Sequence, residues 1–161
     1  MEWRVVDKHE FLEIVNSVSY KDDDEKEAME FSKSDVKYIY NKSMNHKYAK
    51  YYVVEHAGLV LSTIALQRDG YLIYFVTKDF TADLALSMVR CVKSLADTTV
   101  ERVDVIFVKT AIWYDEAKRF VRLTGFSTMF ISTNYIIWKY LKTANSAEST
   151  EPALPVNPEN D

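Results

Sequence analysis

The chain has 161 residues, 48% of them hydrophobic and 27% charged, with a net charge of −4; it is long enough for one domain with a buried core, and its composition is neither disordered nor fibrous. No apolar run reaches the roughly 18 residues that cross a bilayer, and the single cysteine, Cys91, excludes an internal disulfide and points to a reducing, cytoplasmic compartment. The charge imbalance lies in Glu148, Glu151, Glu159 and Asp161, all beyond the last basic residue, Lys142, so residues 1–142 are neutral overall and exert no general pull on nucleic acid.

The opening Met1-Glu2-Trp3-Arg4 carries charge and runs straight into a strand-like segment, which does not read as a signal peptide. Trp3 to Val6 reads as a short strand. Lys8 to Val18 reads as a helix whose apolar face is Phe11, Leu12, Ile14, Val15 and Val18. The run Lys21-Asp22-Asp23-Asp24-Glu25-Lys26-Glu27 reads as a solvated loop feeding a helix N-terminus, where negative charge meets the positive end of the dipole. It lacks the alternating oxygen ligands and the glycine of a calcium loop. Residues 26–41 read as one helix.

Strands follow. Tyr51 to Glu55 and Leu59 to Gln67 make a hairpin about His56-Ala57-Gly58, and Tyr71 to Thr77 comes after a second turn at Arg68-Asp69-Gly70. Ala82 to Ala96 is an amphipathic helix with Leu84, Met88, Val92 and Leu95 on one stripe. Cys91 lies on that stripe, which makes it a packed thiol and not a nucleophile. Val103 to Val108 is a strand, Trp113 to Thr124 a helix, and Phe126 to Ser132 with Tyr135 to Leu141 a closing pair of strands. Residues 143–161 hold all three prolines and only Leu154 and Val156 as sizeable apolar groups, the composition of a flexible acidic tail after a domain at 1–142. Three consecutive strands before the third helix make the fold class α+β, a mixed and mostly antiparallel sheet flanked by about four helices.

The element order over residues 3–141 resembles the GNAT N-acetyltransferases. Its most local piece is Ala117-Lys118-Arg119-Phe120-Val121-Arg122-Leu123-Thr124-Gly125-Phe126, similar to the family's helix-to-strand signature, with Gly125 as a left-handed helix stop. The resemblance implies a glycine-rich pyrophosphate loop between the fourth strand and the third helix. Here that stretch is Thr77-Lys78-Asp79-Phe80-Thr81-Ala82-Asp83, without glycine and with two acids where a phosphate would come; Thr81, or Asp79, serves as an ordinary helix N-cap. The resemblance also implies a tyrosine acid four residues before the glycine. Val121 stands there, beside Phe120, and neither donates a proton. An asparagine position earlier in that helix holds Tyr114, the one candidate catalytic acid if the chain is active. If acyl-CoA binds, the groups left to hold it are Val76, Lys78, Thr81 and Ala82. His9, His46 and His56 have no metal-ligand spacing, and no metal site is expected. The strand end Tyr74-Phe75-Val76-Thr77 with Asp79 is similar, more narrowly, to the acetyltransferase-like internal virion proteins of T7-like phages.

Two functional readings follow. In the first the chain is a non-catalytic binding or structural protein with no cofactor, working on a protein partner in a host cytoplasm or a virion, without nucleic acid or membrane. Tyr38, Tyr40, Tyr48, Tyr51 and Tyr52 are then either partner contacts or cover for the hairpin edge. In the second it is an acetyl-CoA-dependent N-acetyltransferase with a divergent loop. An open notch at residues 77–83 favours the enzyme, and Phe80 plugging that notch favours the binder.

Overall fold

The computed structural model describes residues 1–43 and 47–142. The flexible-tail expectation for residues 143–161 and the reading of His46 lie outside the described residues. In chain order the elements are β1 (Glu2–Val6), α1 (Lys8–Ser17), α2 (Asp22–Ser32), α3 (Val36–Ser43), β2 (Tyr48–His56), β3 (Leu59–Gln67) and β4 (Leu72–Val76). A 3₁₀ turn (Ala82–Leu84) then leads into α4 (Ala85–Val103), followed by β5 (Val105–Ala111), α5 (Asp115–Thr124), β6 (Ser127–Ile131) and β7 (Tyr135–Leu141).

The expected helix over 26–41 is two helices. Lys33 turns left-handed with φ of 57° and closes α2, its amide bonding the Met29 carbonyl. Asp35 then opens α3, its carboxylate accepting from the Tyr38 amide at 2.8 Å, the usual work of an N-cap aspartate. The acidic run is the first turn of α2 itself and not a loop.

Strands β1–β4 form one antiparallel sheet in sequence order, and β5-β7-β6 form a second, also antiparallel. The two meet at a single parallel bridge, Tyr71 with Phe107, where the Phe107 amide donates to the Gly70 carbonyl at 3.0 Å. Beyond that bridge β4 and β5 part company and leave a split between the sheets. Alternation along each strand sorts the core into two layers. Tyr52, Val54, Ile64 and Leu66 face α4 and α5, while Val53, Ala65 and Phe75 face α1–α3.

Tyr40, Tyr48 and Tyr52 are buried at 0%, 3% and 4% exposure. That rules them out as partner contacts; they are core. Tyr38 alone of the five is exposed. Cys91 is buried, as its place on the apolar stripe implied. Gly125 ends α5 with φ of 113°, its amide bonding Arg122 and the Phe126 amide bonding Val121, so the helix stop read from the Gly-Phe pair is present. Among the described residues no helix is long and apolar enough to cross a membrane.

Candidate functional site

A cavity of about 450 Å³ opens between α4, α5 and the face of β4. Its walls are apolar and aromatic, with Tyr74, Phe80, Val89 and Phe120 among them, and Leu86 and Leu123 stand exposed at its mouth. Its floor is the split between the sheets. There α2 reaches across from the opposite layer and sets two carboxylates, Asp24 and Glu27, one helical turn apart on the same face.

Each carboxylate ties down one side of the split. Asp24 Oδ2 accepts from the Val76 amide of β4 at 2.5 Å, and its Oδ1 accepts from the Tyr114 hydroxyl at the start of α5. Glu27 Oε2 accepts from the Ala111 amide of β5 at 2.8 Å. One turn further on, Glu30 accepts from the Trp113 indole N–H at 2.6 Å, and Lys26 lies 4.4 Å over the Trp113 ring. Helix α2 is thereby a strut that spans the split and closes it on the α1–α3 side.

Burial dominates the electrostatics of these groups. It pushes the Asp24 carboxyl up to about 6, against the Tyr114 and Val76 hydrogen bonds that pull it down. It pushes Glu27 up to about 7, against the Ala111 amide. Burial, joined by the nearby Asp24, raises the Tyr114 hydroxyl far above the usual phenol range. The Tyr74 hydroxyl is raised by burial and by the charge of Glu27 and Asp24. Buried carboxylates near neutrality suit acid–base work or the reception of a positive charge.

The acidic run therefore contradicts its reading as a solvated face at two positions. Asp22 and Asp23 are solvated, but Asp24 is only 4% exposed and Glu27 is half-buried at the cavity floor. The sequence did contain a signal for this. The inward stripe of α2 runs Asp24, Glu27, Ala28 and Phe31, with acids where an amphipathic helix would place apolar groups.

The residues singled out from sequence divide between the cavity and its outside. Tyr114 is buried at the floor with its hydroxyl committed to Asp24. The side chain of Val76 lines the cavity, and Ala82 lies at its rim. Lys78 and Thr81 do not line it. Lys78 is exposed and pairs with Asp22 at 3.3 Å. Thr81 makes no side-chain bond to the helix start, as an N-cap would; its hydroxyl goes to the Asp83 carboxylate at 2.5 Å. Phe80 lines the cavity wall, with the Lys21 ammonium 5.5 Å from its ring centre, and does not fill the space.

The notch at residues 77–83 is closed only in part: the Lys78 and Phe80 amides are bonded, to Ser19 and Thr77, while the amides of Asp79, Thr81, Ala82 and Asp83 have no partner among the described residues. The outer edge of β4, which in this topology faces the split, is taken by the chain's own segment Ser19–Asp24. The Lys21 amide donates to the Val76 carbonyl at 2.9 Å, the Lys78 amide donates to the Ser19 carbonyl at 2.8 Å, and Tyr20 bridges Thr77 as an added antiparallel rung. With Asp24 on the Val76 amide, three consecutive edge groups of that strand end are satisfied internally. Among the described residues no cluster of three or more His, Cys, Asp or Glu side chains could hold a metal ion.

No family model matches the sequence, and no curated protein matches it. Solved structures do. AAC(6')-Ib in complex with ribostamycin and coenzyme A is similar with a TM-score of 0.66 at 11% identity, over 92% of this chain and 97% of that one. A GNAT-family acetyltransferase from Bacillus anthracis gives 0.62 at 12% identity, over 87% and 93%. The spermidine N-acetyltransferase from Vibrio cholerae in complex with CoA and spermine gives 0.58 at 13% identity, over 87% and 94%. At this identity they speak to architecture. The chain has the α+β fold of the GNAT acetyltransferases.

Proposed function

We propose that this chain is a non-catalytic binding protein built on the GNAT fold, with its cofactor slot closed by its own second helix. The observation that carries the reading is the edge of β4: the Val76 amide, the Val76 carbonyl and the Lys78 amide all have partners within Ser19–Asp24. A pantetheine arm pairing along that strand end would have to displace all three, one to a carboxylate, worth about 1.5–3 kcal/mol, and two between neutral backbone groups, worth about 0.5–1.5 kcal/mol each. Two further features support it. Asp79 and Asp83 flank the helix start with negative charge, and the Tyr114 hydroxyl is already committed as a hydrogen-bond donor to Asp24. The partner in this reading is a protein, in a host cytoplasm or a virion. The edge strand β6 favours that, because Met129, Phe130 and Ile131 stand 46%, 50% and 63% exposed beside an edge that no strand pairs among the described residues.

A second reading has one specific observation in its favour. Asp24 and Glu27, with carboxyls near 6 and 7 beside Tyr114, have the proton affinities of a general base and its relay. The chain would then be an acetyl-CoA-dependent N-acetyltransferase in which α2 withdraws to admit the cofactor. Calorimetric titration with acetyl-CoA, with Lys78→Ala as control, separates the two. The binding-protein reading expects no heat at millimolar acetyl-CoA. Micromolar binding that weakens in Lys78→Ala, with acetyl transfer to any amine, overturns it.

A further inference from the structure

The cavity between α4, α5 and β4 has an acidic floor under an aromatic wall, and its two ends ask for different chemistry. We infer that it receives a compact organic cation, an ammonium ion carrying alkyl or aryl groups, head-first against Glu27. The inference deepens the binding-protein reading and rests on it in taking the cavity as free for a ligand other than a cofactor.

The floor supplies the charge argument. Both Asp24 oxygens are engaged, by Val76 and Tyr114. Glu27 is different: Oε2 takes the Ala111 amide, while Oε1 has no hydrogen-bond partner among the described residues. The Tyr74 hydroxyl, desolvated and close enough to Glu27 and Asp24 to feel their charge, has none either. Glu27 is half-buried and forms no ion pair among the described residues, so its charge faces the cavity without a counter-ion. The groups facing this space from every element around it are Asp24, Glu27 and Lys21 on the α2 side, Tyr74 on β4, and Tyr114, Glu116 and Arg119 on α5. Lys21 is turned over the Phe80 ring, and Glu116 and Arg119, of opposite sign, are both exposed. The deep end is left with net negative charge.

The wall supplies the rest. Tyr74 and Phe120 stand with ring centres 6.1 Å apart, and Phe80 lies in the same wall. Aromatic faces carry negative potential and hold alkylated ammonium ions, and do so best where water is excluded. An anion would meet two carboxylates, and a neutral apolar body would leave the Glu27 charge without a counter-ion. A cation with an apolar body satisfies floor and wall together. A volume of about 450 Å³ suits a small ligand of this kind.

The test is calorimetric titration of the full chain with benzyltrimethylammonium chloride, and with benzyl alcohol and phenylacetate as neutral and anionic bodies of similar size. The cation is expected to bind, the alcohol about tenfold or more weaker, and phenylacetate not at all. Glu27→Gln, which keeps an acceptor for the Ala111 amide, is expected to weaken the cation about tenfold, the effect of removing one charge-assisted contact. Ala85→Trp, at an exposed rim position that faces the cavity, is expected to abolish binding by filling the space, with unchanged melting as the control for folding. No binding of the cation at millimolar concentration, equal binding of cation and anion, or binding indifferent to both variants overturns the inference. Titrated alongside, acetyl-CoA separates the two claims. Cation bound and acetyl-CoA silent upholds both. With both silent the binding-protein reading stands and the cation site falls. If acetyl-CoA binds, the binding-protein reading falls and the charge series alone decides the cation site.

Discussion

The two layers of helices cover the same sheet in opposite ways. On the α1–α3 side the packing is complete: Phe11, Val15, Val36 and Tyr40 are fully buried, and Phe11 meets Tyr40 edge-on with ring centres 5.0 Å apart. Even the polar atoms there are matched, with the Tyr40 hydroxyl donating to the Thr63 carbonyl at 3.1 Å and the Tyr20 hydroxyl sharing a hydrogen bond with Thr63 Oγ1 at 2.9 Å. On the α4–α5 side a cavity is left, its rim carries exposed Leu86 and Leu123, and one oxygen of Glu27 has no hydrogen-bond partner among the described residues. One face is built for stability, and the other gives some stability up to keep a space open. Local strain and unsatisfied groups of that sort mark where a protein does its work.

The comparison breaks first if large side chains on the two faces prove equivalent. Phe11→Ala, at 0% exposure, should lower unfolding free energy by about 3–5 kcal/mol, whereas Leu86→Ala, at 60% exposure, should stay within about 0.5 kcal/mol. Urea unfolding of the two variants reads both values, and similar losses would mean the cavity side is as tightly packed as the other. The carboxylates at the floor come next. Their folded values, about 6 for Asp24 and about 7 for Glu27, lie above those of ordinary carboxyls. The native state therefore holds their protons more tightly than the unfolded chain does. Their contribution to stability is full below about pH 4 and is lost as pH rises through 6 and then 7, by about 2–3 kcal/mol for each group. Glu27→Gln should remove the Glu27 share of that loss, so that melting curves of variant and parent diverge from about pH 5 upward, with the variant the more stable. Parallel curves up to pH 8 would mean that Glu27 is not desolvated as its position implies.

How much of this could be read from residues alone follows the same division. The packed framework was legible, because period and punctuation determine it. The hairpin strand Leu59–Gln67 and the final strand Tyr135–Leu141 stand where alternation put them, and Gly125 ends its helix as a Gly-Phe pair suggests. The break between α2 and α3 was less visible, since it rests on a left-handed Lys33 and a single capping Asp35 in an otherwise helix-compatible run. The site was the least legible part. Asp24 and Glu27 stand out only by sharing a helix stripe with Ala28 and Phe31, and what buries them is two strands far along the chain, which bring the Val76 and Ala111 amides to them. Acids are buried by long-range partners, which local periodicity does not encode. The tyrosines were left open for the converse reason: Tyr40 and Tyr48 are amphipathic in composition, and only the tertiary fold decides that they are buried.

Two smaller effects sharpen the contrast between framework and slot. Gly125→Ala puts a side chain where φ is 113° and where a Cβ would come within 3.0 Å of the Tyr140 ring. That ring is packed against Phe126, and its hydroxyl is held by Asp97 and Lys93, so it has little freedom to retreat. A loss of about 1–2 kcal/mol is expected on thermal or urea unfolding, because neither the backbone nor the neighbour yields. Lys78→Ala should do almost nothing by the same measure. Its one ion pair joins two exposed groups, 58% and 93% accessible, and such pairs are worth at most about 1 kcal/mol and often nothing measurable. Its amide, which bonds Ser19, is kept whatever the side chain. The position that the resemblance offers as the last basic phosphate ligand is therefore energetically idle in the folded chain. If Lys78→Ala nonetheless destabilises by more than about 1 kcal/mol, the side chain is part of the lock that holds Ser19–Asp24 on the strand edge, and closure of the slot depends on it as well as on Asp24.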